Sequence, residues 1–314
     1  MSSVDASRPL QHDAVFYDDD SVFMAAALPF IREGVQRGEV VMLNTVTHPL
    51  TPMLRAMFHG EDQVVIADRA VYSTPAAALD GYRRTMERGL AEGAAGYRAI
   101  GYIDFDGSHL PWQEWVKYEA AVNHVFRNFP FRTICPYDVA ELPSEIVAPM
   151  KRAHTGLYGP DGWRRNEEYV DPGRLLADDT LAAPPHPVQS GPPRMVLEPS
   201  DDLTGLRMEL YAATMFTDLS PRRIDDFVSA VGEVVTNAHR HVGEPVRLQL
   251  WAADAAVVCT VTDQGPGIED PLVGFGRPRH PSEGLGLWAA RQLVDVLDFR
   301  RGPDGFTVRV ASFL

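Results

Sequence analysis

Seven prolines stand between Asp171 and Ser200, in a stretch with few large apolar residues. Proline fixes its own φ and withholds a backbone donor, and so polar a run cannot bury enough surface to fold alone. The composition predicts an extended linker over residues 171–200, dividing the 314-residue chain into two folding units. One core usually serves about 100–200 residues, so two units suit this length.

Charge and apolar runs narrow what the chain can meet. A formal net charge of −14 argues against nucleic acid, because phosphate contacts need a basic surface, and against an anionic membrane for the same reason. No apolar run approaches the ~18–20 residues of a membrane helix. The opening MSSVDASRPLQHD lacks a basic start followed by an apolar core. A cytoplasmic protein is expected. Cys135 and Cys259 lie far apart in apolar, strand-like stretches, which makes neither a disulfide framework nor a metal knuckle, and both read as core.

Before the proline-rich stretch, short strand-like runs alternate with amphipathic ones. Strands are predicted at Ala14–Tyr17, Val40–Val46, Val64–Ala67, Tyr97–Ile103 and Arg132–Tyr137. Helices are predicted at Ser21–Arg37, Thr51–Phe58, Pro75–Glu92 and Trp112–Phe126. This alternation implies an α/β domain with a mostly parallel sheet covered on both faces. Ligands in such sheets sit at the carboxyl ends of strands. The polar residues there are Asn44, Thr45, His48, Asp68, Asp104, Tyr137 and Asp138. No G-x-x-x-x-G-K-[ST] phosphate loop (Walker A) occurs anywhere, so this unit is not expected to hydrolyse nucleotide in the usual way.

The part after the linker predicts the order α-α-β-β-loop-α-β-β, an α+β layer arrangement. Its second helix, Pro221–His241, opens on Ser220 as N-cap with Pro221 at the first helical position. Ile224, Phe227, Val228, Val231, Val235 and Ala238 repeat at helical spacing and form a buried stripe. Glu233 and Asn237, one turn apart, fall on the other side. Alone, that pair reads as solvated surface.

Three downstream motifs alter the reading. A strand over Ala256–Asp263 runs into Asp263-Gln264-Gly265-Pro266-Gly267-Ile268. An Asp at a strand end followed by two glycines lets the backbone approach a flat ligand, while the carboxylate accepts from an exocyclic amino group. Gly284-Leu285-Gly286-Leu287 precedes a helix expected over Gly286–Leu297, where backbone N–H groups can face an anion. Strands are expected near Asp298–Arg301 and over Phe306–Phe313, and Gly305-Phe306-Thr307 sets a hydroxyl among apolar neighbours.

In this order, E-x-x-x-N, D-x-G-x-G-I, G-x-G-L and G-x-T closely resemble the N, G1 and G2 boxes of the GHKL (Bergerat-fold) ATPases and kinases. EVVTNAHRH, VTDQGPGI, EGLGLWAARQLVD and GFTVRV are most similar to the anti-sigma-factor serine/threonine kinases. The resemblance implies a two-layer α+β Bergerat domain over residues 201–314 that binds ATP and Mg²⁺. It implies that Asn237 supplies a ligand to Mg²⁺ and that Asp263 reads the adenine amino group, with the Thr307 hydroxyl nearby. Gly265, Gly267 and Ile268 would pass the base, and Gly284, Leu285 and Gly286 would cover the phosphates. Glu233 would be the general base, and Arg240 and His241 also match the subfamily pattern. The segment Glu269–Glu283 is too short for the long lids of gyrase or MutL, and no hairpin carrying a phosphorylatable His precedes Ile224. In that branch the domain sequesters a sigma factor and phosphorylates a STAS-domain anti-anti-sigma factor. A second copy of the chain is a further candidate partner. Two readings stay open beside it: an ATP-binding switch without phosphotransfer, and histidine-kinase-like phosphotransfer.

His12-Asp13-Ala14-Val15-Phe16-Tyr17, PFIREGVQRGEVVMLNT, KYEAAVNHVF and FRTICPYD resemble the MEDS sensory domain. That resemblance implies a RecA-like fold without a working phosphate loop over residues 11–170, and a role in signal input through a small molecule. Together with the high-GC-type composition, it also points to an actinobacterial origin. Polar candidates for such a ligand are Glu119, Asn123, Arg98, His12 and Tyr137, although caps, surface groups or satisfied core groups are the plainer reading of each. Trp112 and Trp115 read as packing.

Overall fold

The structure, a computed structural model, describes residues 10–66, 72–199, 202–243, 245–278 and 285–314. Asp68 and Gly284, both singled out above, lie outside the described residues. The chain divides into two units, residues 1–182 and 183–314.

The first unit alternates as its apolar pattern predicts: β1 (Leu10–Tyr17), α1 (Asp20–Gln36), β2 (Val40–Asn44), α2 (Thr51–Met57), β3 (Val64–Ile66), α3 (Pro75–Ala91), β4 (Tyr97–Gly101), α4 (Trp112–Val125) and β5 (Phe131–Asp138). Three elements were not foreseen: α5 (Ser144–Ala153) and the hairpin of β6 (Gly156–Gly159) and β7 (Gly162–Arg165). The sheet runs β3-β2-β4-β5-β1-β6-β7 and is parallel throughout except for the β6–β7 pair. All of β4 is buried, which requires cover on both faces. One cover is α1, packed on β1, β2 and β4, and α4 packs on β1 with α3 and α5 beside it. Asp19 caps α1 through Ser21 N, and Thr74 caps α3 through Ala77 N.

Beneath α1 the core holds Val15, Phe23, Ile31, Val41, Leu43, Ile100 and Ile134, all fully buried. Arg98 is pinned nearby, 1% exposed, giving Nη1–H to Phe30 O and Glu33 Oε2 and Nε–H to Glu39. It therefore ties β4 to α1 and stands apart from the other polar candidates of this unit.

The proline-rich stretch is not featureless. Pro172–Leu176 forms a short helix, α6, whose contacts are with α4 and α5 of the first unit. Met195–Leu197 forms β8, which pairs with the next strand of the second unit. Between them a 3₁₀ turn at Pro187–Ser190 sets Val188 against Val258, Val296 and Ala311, and His186 stacks on Phe313 at 4.8 Å. Arg309 donates to the carbonyls of Ala183 and Pro184, and Trp251 Nε1–H donates to Gly191 O. A few apolar and aromatic contacts suffice to hold this polar segment to a surface that is already formed.

The second unit continues with α7 (Leu203–Thr214), α8 (Pro221–His241), β9 (Arg247–Ala253), β10 (Ala256–Asp263), α9 (Leu285–Leu293), β11 (Val296–Gly302) and β12 (Gly305–Phe313). Its antiparallel sheet runs β11-β12-β10-β9-β8. The helix expected to reach Leu297 stops at Leu293, because Val296 and Leu297 are taken into β11. One face of the sheet carries α8 on β10 and β12, with Phe227, Val231, Val235, Leu248, Leu250, Val257, Cys259 and Val310 fully buried between. Both cysteines are buried, as their apolar settings predict.

Candidate functional site

Helix α8 builds the first wall of the site. Ser220 accepts from Arg223 N at its start, and Phe227, Val228, Val231, Val234 and Val235 pin one face to the sheet. A helix so anchored turns Glu233 and Asn237, one turn apart, to the side away from the buried stripe. Both line a cavity of about 810 Å³, together with Arg240 and His241 from the last turn.

Strand β10 supplies the opposite wall. Asp263 at its end is only 6% exposed and lines the same cavity. Gly265 N–H donates to Asp263 Oδ1 at 2.8 Å, which orients the carboxylate, and Oδ2 has no hydrogen bond among the described residues. Gly267 adopts φ +83°, and a Cβ built there would lie 2.6 Å from the Phe306 ring. Only glycine fits such a close pass of the chain. Gly265 itself does not line the cavity; its carbonyl accepts from Arg301 Nη2 at 2.8 Å and steadies the turn. Ile268 both lines the cavity and packs on the core.

The third side is the start of α9. Leu285, Gly286 and Leu287 line the cavity. A Cβ on Gly286 would come 2.6 Å from Glu233 Oε2 and 3.3 Å from Asn237 Nδ2, so the two side chains of α8 converge on the opening of α9.

Thr307 does not join this group. It faces Thr262 in register across β10 and β12, and the two hydroxyls meet at 2.9 Å. Side chains alternate along a strand, so Phe306 and Val308, on either side of Thr307, take the cavity face and Thr307 takes the other. The adenine-side role expected for its hydroxyl is therefore not available in this arrangement. What sequence reasoning missed are the apolar walls: Val261, Val273, Leu287, Phe306 and Val308. For Val261, Phe306 and Val308 the signal was the same period of two, read for core and not for a ligand slot.

In the first unit a smaller cavity of about 300 Å³ opens at the carboxyl ends of β2 and β4, lined by Asn44, Tyr72, Tyr102, Asp104 and Trp115 among others. Asn44 and Asp104 are where the strand-end argument puts a ligand. Thr45 and His48 are buried in local bonds instead: Thr45 Oγ1 accepts from Thr51 Oγ1, and His48 Nε2 lies 2.8 Å from Tyr17 OH. Trp115 is 2% exposed and gives its N–H to Ser108 Oγ, as a packed residue would. Of the polar candidates, His12, Glu119 and Tyr137 come together deep inside the unit. His12 Nε2 is 2.9 Å and Tyr137 OH 2.8 Å from the two Glu119 carboxylate oxygens, and Asn123 donates nearby to Ala153 O.

Comparison with known proteins agrees with this architecture. Residues 11–155 match the MEDS family (methanogen/methylotroph, DcmR sensory domain), and residues 197–312 match the histidine kinase-like ATPase domain. The chain joins a MEDS domain to a histidine kinase-like ATPase domain of the GHKL type. It is 31% identical over 109 residues, 29% of its length, to the signal transduction histidine-protein kinase AfsQ2 of Streptomyces coelicolor, and spans 20% of that relative. Among solved structures it is similar to the RsbU and RsbW domains of a Mycobacterium tuberculosis protein, at 18% identity and a TM-score of 0.29, covering 54% of this chain and 44% of that one. Among the described residues no helix is long and apolar enough to cross a membrane.

Proposed function

We propose that the second unit binds Mg-ATP and transfers a phosphoryl group to a serine or threonine of a STAS-domain anti-anti-sigma factor. In this reading the same unit sequesters a sigma factor, and the first unit is the sensory input. The observation that carries it is the opening of Glu233, Asn237 and Asp263 onto one cavity, with a glycine at the start of α9 where a side chain would fill the space.

These residues suit a magnesium nucleotide. The volume lies within the usual range for a ligand of that size, about 300–1,000 Å³. Val261, Ile268, Val273, Phe306 and Val308 offer apolar walls for a flat base, and Asp263 Oδ2 offers an acceptor for its amino group. Leu285 and Gly286 bring the N-terminus of a helix, whose free N–H groups favour anions. Asn237 offers an amide oxygen of the kind Mg²⁺ takes beside phosphate and water ligands. Bound Mg-ATP would supply the phosphoryl group, with the metal offsetting its charge. Glu233, exposed at the cavity, holds the acceptor hydroxyl and takes its proton.

The test is a phosphotransfer assay with the full chain, Mg-ATP and STAS-domain proteins of the same genome. The expected product is acid-stable phosphate on a serine or threonine. Nucleotide binding with no transfer to any of them would leave a switch that sequesters its partner without chemistry. A second reading draws on the relative from Streptomyces coelicolor, named a histidine-protein kinase. It would show as an acid-labile phosphohistidine on the acceptor.

A further inference from the structure

Four side chains from distant parts of the first unit meet in its interior. His12 lies on β1, Glu119 on α4 and Cys135 on β5, and His154 directly follows α5. Strand register explains half of the meeting. Ala14 pairs with Cys135 across β1 and β5, and His12 shares the face of Ala14. Helix α4, packed over β1, brings Glu119 onto that face.

All four are buried, from 0% exposed at Glu119 and His154 to 5% at Cys135. One donor atom from each lies within 4.8 Å of all the others. Glu119 Oε2 is 2.9 Å from His12 Nε2 and 3.6 Å from both His154 Nε2 and Cys135 Sγ, and Cys135 Sγ is 3.6 Å from His12 Nε2. Ligands bound at about 2.0–2.3 Å around a tetrahedral metal stand about 3.3–3.7 Å apart.

Hydrogen bonding alone does not settle this cluster. His154 Nδ1 is 2.7 Å from Met150 O, which fixes the ring's proton on Nδ1. Nε2 then lies 3.6 Å from Glu119 Oε2, and among the described residues it has no hydrogen-bond partner. Buried polar atoms left this way cost about 1–3 kcal/mol each. A histidine held by a backbone carbonyl through one nitrogen, with the other free, is the usual posture of a metal ligand. Tyr137 OH donates to the remaining oxygen, Glu119 Oε1, and holds the carboxylate from the second side.

We propose that His12, Glu119, Cys135 and His154 form a closed site for one divalent transition-metal ion, of which zinc best suits two imidazoles, a thiolate and a carboxylate. On binding, the Cys135 S–H bond breaks, its electron pair goes to the metal and one proton leaves to solvent. His12 moves its proton from Nε2 to Nδ1, a buried atom without a hydrogen-bond partner among the described residues, with the Asn123 side chain nearby. Thiolate and carboxylate then bring two negative charges against the ion's two positive ones, so the buried assembly is neutral. Four ligands with no open position make this a structural ion, and it ties β1, α4, β5 and the end of α5 together. It lies in the other unit from the phosphotransfer cavity and does not depend on that reading.

Cobalt is the probe. The full chain is unfolded in guanidinium with a chelator and refolded with Co²⁺. The expected result is one Co²⁺ per chain, the visible absorption of tetrahedral cobalt and a near-ultraviolet thiolate-to-cobalt band, all displaced by Zn²⁺. Cys135→Ser should lose the thiolate band, His154→Ala should weaken cobalt binding at least about tenfold, and Cys259→Ser should change nothing. Refolded wild-type chain that takes up no cobalt and retains no zinc would overturn the site, a result that needs no variant to fold. So would a thiolate band that survives Cys135→Ser.

Discussion

Gly286 and Glu233 leave no space for a side chain between them: a single carbon added to the glycine would sit 2.6 Å from Glu233 Oε2. Gly286→Ala therefore pushes the exposed Glu233 carboxylate aside while leaving the core untouched. A displacement near 1 Å in a reacting constellation can cost about 10²-fold in rate. Phosphotransfer by this variant should fall about tenfold to a hundredfold, with thermal stability within about 0.5 kcal/mol of wild type. An unchanged rate would mean that the opening of α9 does not shape the reacting geometry.

Glu233 and Asn237 should separate binding from chemistry. Glu233→Gln keeps the shape but removes the base, and transfer should drop about 10²- to 10⁴-fold with nucleotide affinity changed only a few-fold. Asn237→Ala should weaken Mg-dependent nucleotide binding itself, read by titration calorimetry with and without Mg²⁺. Equal losses of affinity in both variants would count against the division of roles.

How much of this could be read from the chain follows the periodicities. The 3.6-residue stripe of α8 was continuous, so the faces of Glu233 and Asn237 followed from it. Thr307 was misread because a strand's period of two was not carried through the last motif; counting from Val308 or Val310, both buried, turns its hydroxyl away. β6 and β7 are four residues each and β8 is three, too short for alternation to stand out, and β8 sits among prolines. His154 carried no local signal at all. It lies 142 positions from His12, and only the strand order brings the two rings to 4.2 Å.

Arg98 gives a stability prediction confined to the first unit. Its guanidinium is buried between Glu33, Glu39 and Phe30 O. Arg98→Met leaves Glu39, only 15% exposed, facing an apolar chain. Removing one partner of a buried pair costs about 3–5 kcal/mol. Calorimetry should show the first unit melting earlier, with nucleotide binding in the second unit retained.

Asp13 sets a pH dependence. Burial pushes its carboxyl up to about 6, against the Trp163 N–H and Thr155 hydroxyl that favour the charged form. An unfolded Asp titrates near about 4, so between about pH 4 and 6 the folded state holds more protons than the unfolded one. Its contribution to stability is present below that window and is lost as pH rises through it, by up to about 3 kcal/mol. Denaturant melts of wild type and Asp13→Asn should therefore diverge in slope across that window. Parallel curves would show that Asp13 stays ionised.

The strip of chain from Ala183 to Leu197 acts as a second skin on the antiparallel sheet. It shields Val258, Val296 and Ala311 on the outer face, and β8 closes the border of β9. A fragment cut at residue 201 would bare both at once, offering an unpaired strand rim to any passing copy. Anyone wishing to isolate the kinase-like half should begin at Ala183 and keep the prolines.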